Sequence, residues 1–287
     1  EVHEKVNITW NDNNTVTYKQ VKRWYFDPEN SKGSLKDNVT MLNVLPVAAT
    51  YVSRYWSNFL VYPLAAALKV VEKTVWITKT VQEHLFDGYT DPLLSIATSL
   101  PGFSVMKLPA DKIGFFYGRN GSADYEGAFN MDTGAENSSR FGRLKHWNYR
   151  NYSTYYKDEC SDLDGSAGDF FPSKLTRDVT WSMFAPDICR TVSFEYSEDA
   201  EVNGIAGYKF IPTKKLFDNG TLYPEAHCNC GGDCLPSGVL NVSTCRHGAP
   251  GFVSYPHFLE ADPYYINSVK GLKPDPEKHS FQVIVEP

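Results

Sequence analysis

No run of apolar residues in this 287-residue chain is long enough to cross a bilayer. The longest, Phe59 to Leu68, falls well short of the ~20 residues a membrane helix needs. Lys and Arg gather nowhere into a block and the formal charge is -6, which excludes a general binder of nucleic acid or other polyanions. Catalytic and nucleotide signatures are missing as well. There is no Gly-x-Ser-x-Gly elbow, no Gly-x-Gly-x-x-Gly, no P-loop and no His-Glu-x-x-His. With no nucleophile–base pair and no cofactor motif, nothing supports an enzyme, and no catalytic residue, cofactor or metal is assigned. Carboxylates are numerous, but pairs such as Glu198-Asp199 and Asp262-Pro263 read as solvated loop charges. His257 lies among aromatics in Tyr255-Pro256-His257-Phe258. It reads as a hydrogen-bonded, half-buried residue rather than a base, since no partner can be named for it.

What the chain does have is sequons. Eight Asn-x-Ser/Thr triplets begin at Asn7, Asn13, Asn38, Asn120, Asn137, Asn151, Asn219 and Asn241. Glycans are added on exposed backbone in a secretory compartment, so most of this surface is expected to face a lumen or the cell exterior. The six cysteines agree: Cys160 and Cys189 stand apart, while Cys228, Cys230, Cys234 and Cys245 crowd together. An even count in a glycosylated chain reads as three disulfides. Zinc is the competing reading, because His227 and His247 flank the crowded cysteines, but Cys228-x-Cys230 is too tight for the usual C-x₂₋₄-C knuckle. Six cysteines allow fifteen pairings, and spacing alone makes only the short Cys230–Cys234 loop locally plausible. The chain opens at Glu1 without Met or a signal peptide and stops at Pro287 after a strand-like run, so a segment of a longer protein is expected, with any membrane anchor outside it.

Periodicity points to a mainly β chain. Val6 to Trp10 and Thr15 to Tyr18 alternate as half-buried strands around an Asn-rich turn, with a second pair expected around Arg23 to Phe26. Further strands are expected at Val75 to Thr78, Ile113 to Tyr117, Tyr125 to Phe129, Val179 to Phe184, Thr191 to Tyr196, Tyr208 to Ile211, Phe252 to Tyr255 and Phe281 to Val285. From Val47 to Glu72 the period becomes helical: Ala48, Val52, Trp56, Phe59 and Leu60 form a stripe, and Pro63 suits the first turn of a second helix over Leu64 to Glu72. Thr80-Val81-Gln82-Glu83 has the form of a capping box, and Asp91-Pro92 that of a cap with a first-turn proline. No repeat, low-complexity tract or linker divides the chain, so one domain over 1–287 is expected.

The helical stretch carries a charge pattern unlike the rest. Between Leu45 and Thr80, Arg54, Lys69, Lys73 and Lys79 face only Glu72, a local net of +3 on an acidic chain. No sequon lies between Asn38 and Asn120, so this element is expected to be bare of glycans. A basic, apolar, unglycosylated element suits anionic amphipathic ligands such as fatty-acid carboxylates, oxidised phospholipids or lipoprotein surfaces. The plainer alternative is a helix pair packed on the barrel, its lysines merely facing solvent.

Motifs along nearly the whole chain, in order, resemble the class B scavenger receptor family. They include Gly88-Tyr89 with Asp91-Pro92, Ile113-Gly114-Phe115-Phe116-Tyr117 and Asp187-Ile188-Cys189-Arg190. Later come Ser237 to Cys245, Gly248-Ala249-Pro250, Pro256-His257-Phe258-Leu259, Ala261-Asp262-Pro263, and Gly271-Leu272 with Pro274. Asn7-Ile8-Thr9-Trp10 and Leu216 to Pro224 are most similar to its lipoprotein-receptor branch. The resemblance implies a twisted antiparallel β-barrel with an internal lipid tunnel and a helical-bundle cap, here 47–72, anchored by a transmembrane helix at each end that this segment lacks, as it lacks the closing strands. It implies Phe59 at an apex contact position and Lys69 and Lys73 near a basic patch. It also implies the pairs Cys160–Cys228, Cys189–Cys245 and Cys230–Cys234, which define a disulfide-bonded region over 160–245. Two departures stand out. Where family members have a sequon after the first cysteine, this chain has Asp164-Gly165-Ser166. The lysosomal member's cap histidine has no counterpart, because no histidine lies between Leu45 and Thr80.

The expected function is therefore a non-enzymatic receptor at the extracellular face of the plasma membrane, or alternatively at the lumenal face of a lysosomal or endosomal membrane. Its partners are lipoprotein particles and lipids (fatty acid, sterol, carotenoid or phospholipid), captured at the cap and passed through the tunnel. The alternative is a protein-binding receptor for sorting or for engulfing apoptotic cells.

Overall fold

Asn14 takes a left-handed conformation, φ +57°, and turns the chain between its first two strands, β1 (Val2–Asn11) and β2 (Thr15–Arg23). The computed structural model describes residues 1–71, 74–94, 111–171, 175–246 and 248–287. The chain divides into two compact units: Glu1–Val6, Gln20–Tyr125 and Arg246–Pro250 in the first, and Asn7–Lys19, Glu126–Cys245 and Gly251–Pro287 in the second.

In the first unit, strands β3 (Asn38–Leu42) and β4 (Trp76–Thr80) pair antiparallel, with Thr40 opposite Thr78 and their hydroxyls 2.6 Å apart. Between these strands run the helices α1 (Val44–Ser53) and α2 (Asn58–Val71), so the ladder clamps both ends of a helical excursion. The Asn43 N–H donating to the Val75 carbonyl at 2.8 Å closes its base. The capping box forms after β4. Thr80 N–H and hydroxyl both donate to the Glu83 carboxylate at 2.9 Å, and Glu83 N–H donates back to the Thr80 hydroxyl at 3.2 Å, opening a helical turn over Glu83–Asp87. Asp91 caps the next turn by accepting from Leu93 N–H at 2.8 Å.

The second unit holds the larger core. Strands β5 (Ala128–Asp132) and β6 (Leu144–Trp147) extend the first ladder in the order β1-β2-β5-β6, with β2–β5 and β5–β6 antiparallel. Their inward residues Phe129, Met131, Leu144 and Trp147 pack with Tyr18, Tyr156 and Phe184. A second antiparallel sheet runs β12-β9-β8-β7, built from β7 (Trp181–Ala185), β8 (Arg190–Val202), β9 (Ile205–Pro212) and β12 (Val283–Val285). Trp181, Val192, Phe194 and Phe210 supply its buried face, Trp181 stacking on Phe194 with ring centres 4.5 Å apart. Asn203-Gly204, both at positive φ, make the tight β8–β9 turn that the right-handed strand twist favours. The minimal pair β10 (Leu240–Asn241) and β11 (Phe252–Val253) and the short helices α3 (Pro263–Ser268) and α4 (Pro276–His279) complete the unit. Gly165 belongs where it is. A Cβ there would stand 1.6 Å from the Ser182 carbonyl oxygen, because the Gly165–Ser166 backbone threads between Leu144 and Phe184 to bond both.

The architecture is thus antiparallel β with helices, but among the described residues both four-stranded sheets are open, since neither returns to its own first strand. Several local expectations need correction. The helix breaks at Arg54–Ser57 rather than at Pro63, because the Ser57 carbonyl takes the Leu60 and Val61 N–H groups and starts α2 there, leaving Pro63 inside it. Residues 113–117 are no strand beyond a single bridge from Ile113 to Tyr89. The Phe115 and Phe116 N–H groups instead bond the His84 and Leu85 carbonyls at 2.8 and 2.7 Å, ending the helical turn there. Residues 24–26 are irregular, Trp24 being held by hydrogen bonds with the Asn120 amide and by stacking on Phe116. The strand expected at 125–129 lies at 128–132, displaced past Gly127 at φ +82°. Glu198 and Asp199 are strand rather than loop residues, paired with Lys209 and Arg177, and Asp262 caps α3 through Tyr264 N–H.

Candidate ligand-binding face

The helix pair rests on a small core in which Ala49 and Leu64 are buried, with Trp56 and Leu68 packed against them. Burying Leu64 alone contributes about 2 kcal/mol, enough to orient α2 on α1. That orientation decides which side of α2 is left over. Phe59, Tyr62, Ala66, Lys69 and Val70 are exposed and recur at spacings of three and four, so they share one helical face. Phe59 is 83% exposed, Tyr62 71% and Val70 76%, far more than a settled apolar side chain ordinarily shows. Phe59 therefore does not belong to the buried stripe that periodicity gives it; the break at Arg54–Ser57 resets the helical phase.

The cations of this stretch fare differently. Lys79 pairs with Glu83 at 3.6 Å. Arg54 lies over Tyr51 at 3.7 Å and over Tyr55 at 4.6 Å from the ring centres, and donates to the Tyr55 hydroxyl at 2.6 Å. Lys69 stands exposed in the last turn of α2, on the apolar face, where it also complements the helix dipole. Lys73 lies outside the described residues. The structure thus places Phe59 and Lys69 on one surface and adds Tyr62 and Val70, which sequence reasoning missed. The sequence did not single them out, because α2 is apolar on several faces and only the packing of Leu64 and Leu68 leaves this one in water.

Large apolar side chains are exposed elsewhere as well, among them Trp10, Tyr149 and Leu222. A cavity of 530 Å³ in the second unit is lined by charge, including Glu159, Asp162, Arg190, Lys215 and Glu225. Burial lowers the pKa of Arg190, whose guanidinium donates to the Asn229 amide oxygen. Burial works to raise the Asp218 carboxyl, but the N–H groups of Tyr223, Gly220 and Leu222 and the Ser237 hydroxyl outweigh it and hold the group below its ordinary value. The Asn229 amide in turn donates to the Lys215 and Asp218 carbonyls, so these contacts brace the 215–230 segment. His257 is exposed rather than half-buried; its Nδ1 accepts from Lys273 N–H at 3.1 Å and its ring stacks on His279 at 4.3 Å.

Three disulfides join Cys160 to Cys228, Cys189 to Cys245 and Cys230 to Cys234, with S–S distances of 2.06, 1.96 and 2.09 Å. The two long bridges tie the segments on either side of β7 to the crowded segment, each about 4 kcal/mol in the chain-entropy picture. Asn7, Asn13, Asn38, Asn120, Asn137 and Asn151 are exposed and Asn219 partly so. Asn241 is buried, its Nδ2 donating to the Cys230 carbonyl at 3.0 Å and its Oδ1 accepting from Ser243 N–H at 2.9 Å.

Among the described residues, no helix is long and apolar enough to cross a membrane. The model of the CD36 family matches residues 1–287. Protein peste of Drosophila melanogaster is 40% identical over 290 residues, covering all of this chain and 51% of that protein. Scavenger receptor class B member 1 of Mus musculus is 35% identical over 289 residues and Lysosome membrane protein 2 of Homo sapiens 32% over 291. Both matches cover the whole chain, and 55% and 58% of those proteins. The chain thus spans about half the length of the curated relatives it matches.

Proposed function

The chain belongs to the CD36 family, and from that premise we propose that it is the ectodomain segment of a membrane-anchored, non-enzymatic scavenger receptor for lipoproteins and lipids. The observation that carries this reading is the uncovered face of α2, where Phe59, Tyr62 and Val70 stand in water beside Lys69. An apolar stripe with one cation at its end suits a surface of acyl chains and anionic headgroups. The aromatics bury area on contact, and the ammonium steers anionic particles toward them. In this proposal the helix pair acts as the cap that receives the ligand, and the positive charges of Lys69 and Lys73 assist capture. A fatty acid, sterol, carotenoid or phospholipid then passes through a tunnel in a closed barrel toward the membrane. The receptor works at the extracellular face of the plasma membrane, or at the lumenal face of a lysosomal membrane.

A second reading is favoured by the same aromatics. Phe59 and Tyr62, one turn apart, have the composition of a protein-binding hot spot, which suits a receptor for sorting or for engulfing apoptotic cells. Native mass spectrometry of delipidated protein incubated with a mixed lipid extract separates the two. Retention of a defined lipid supports lipid transfer; protein that stays empty yet binds a partner protein through α2 supports the second reading and overturns the first.

A further inference from the structure

We propose that His227, Cys230 and Cys234 form a thiol-gated site for a d¹⁰ cation of the Zn²⁺ class, closed while the Cys230–Cys234 disulfide is intact and open once it is reduced. His227 and Cys230 lie three residues apart on one helical turn over Pro224–Cys230, so their side chains point the same way. The spacing Cys230-x₃-Cys234 falls within the C-x₂₋₄-C range of zinc knuckles. The three ligand atoms lie within 4.8 Å of one another. His227 Nδ1 stands 4.0 Å from Cys230 Sγ and 3.8 Å from Cys234 Sγ. A tetrahedral Zn²⁺ with ordinary bond lengths needs these distances at about 3.6 Å, so the imidazole is nearly in place already. What the oxidised protein lacks is thiolate, and a separation of about 3.8 Å between the two sulfurs. The loop between them supplies that movement: Gly231 and Gly232 both sit at positive φ with no side chain to hinder them. Cys230 stays anchored meanwhile, its carbonyl accepting from the Asn241 amide and from Asp233 N–H.

Access singles out this bridge. Cys234 is exposed, whereas Cys160, Cys189 and Cys245 are buried and Cys228 is partly so. An external dithiol supplies both electrons. Its thiolate attacks Cys234 Sγ, the S–S bond breaks, and the bonding pair leaves on Cys230 Sγ, which takes up a proton. The reductant's second thiol then attacks the mixed disulfide, frees Cys234 and closes as the reductant's own disulfide. Binding the cation expels both thiol protons, leaving Cys₂His coordination with the fourth position open to solvent.

The test uses the secreted, glycosylated chain and Co²⁺ as a spectroscopic probe. Dithiothreitol is titrated while alkylation and peptide mapping follow each disulfide. The expected result is that Cys230–Cys234 opens first and that one Co²⁺ per chain then binds, with thiolate charge-transfer and tetrahedral d–d bands absent before reduction. His227→Ala, which leaves all three disulfides in place, should weaken binding at least about 10-fold. The proposal is overturned if the three disulfides open together, if selective reduction brings no Co²⁺ bands, or if His227→Ala binds Co²⁺ as the parent does.

Discussion

Replacing Phe59 by Ser should weaken capture of lipid particles about 5- to 30-fold while leaving the fold intact. Phe59 is 83% exposed and lies outside the buried cluster of the helix pair, so its loss changes stability by no more than about 0.5 kcal/mol, or roughly 1–2 °C in Tm. On binding, a phenylalanine ring can bury at least ~150 Å² of apolar area. Covering half of that removes about 80 Å² from water, worth about 2 kcal/mol at 25 cal/mol per Å². Ordering the side chain offsets up to about 1 kcal/mol. The remaining 1–2 kcal/mol is the predicted change in Kd. Surface plasmon resonance on phosphatidylserine-containing liposomes and on lipoprotein measures it, with Leu64→Ala as a contrasting variant. Leu64 is 5% exposed, and its truncation should cost about 2–4 kcal/mol and loosen the helix pair itself. Because the Phe59 effect comes from area, it should persist at high salt. An unchanged Kd for Phe59→Ser, with the melting temperature of the parent, would refute the assignment of this face.

Lys69→Glu should slow association with anionic liposomes at low ionic strength and leave dissociation nearly unchanged; the difference should fade as salt is raised, and equal on-rates at low salt would sink the steering role. Asp218 predicts an acid limb in stability. Its carboxyl is held below the ordinary 3.8, so its contribution is present above that value and is lost as pH falls through the lower, folded one. Calorimetry should find this contribution flat from pH 7 to 5 and falling below about pH 4, with Asp218→Asn less stable by about 2 kcal/mol at neutral pH and missing that limb. Asn241 should carry no glycan, because its amide nitrogen is buried against the Cys230 carbonyl. Enzymatic deglycosylation in ¹⁸O-water should leave Asn241 unlabelled, and a labelled Asn241 would show that this burial gives way in the secreted protein.

Periodicity located the helical stretch, the capping box at Thr80 and the strands of the β7–β8–β9 sheet, because each depends on residues within a few positions of one another. Asn203-Gly204 was an equally local hairpin signal that extends β8 and β9 beyond their apolar centres. The exposed strand β3 carried no such signal. All five of its residues face solvent, and only pairing with β4, more than thirty residues later, makes it a strand. The cysteine count implied disulfides, yet composition left fifteen pairings open; bringing Cys160 to Cys228 is the work of the folded core around Trp147 and Phe184. The presence of an apolar, basic helical segment was legible from residue types alone. Which side of α2 meets water was decided only when Leu64 and Leu68 packed on Ala49 and Trp56. A helix offers several faces of similar hydrophobicity, and only a tertiary neighbour selects the one to bury.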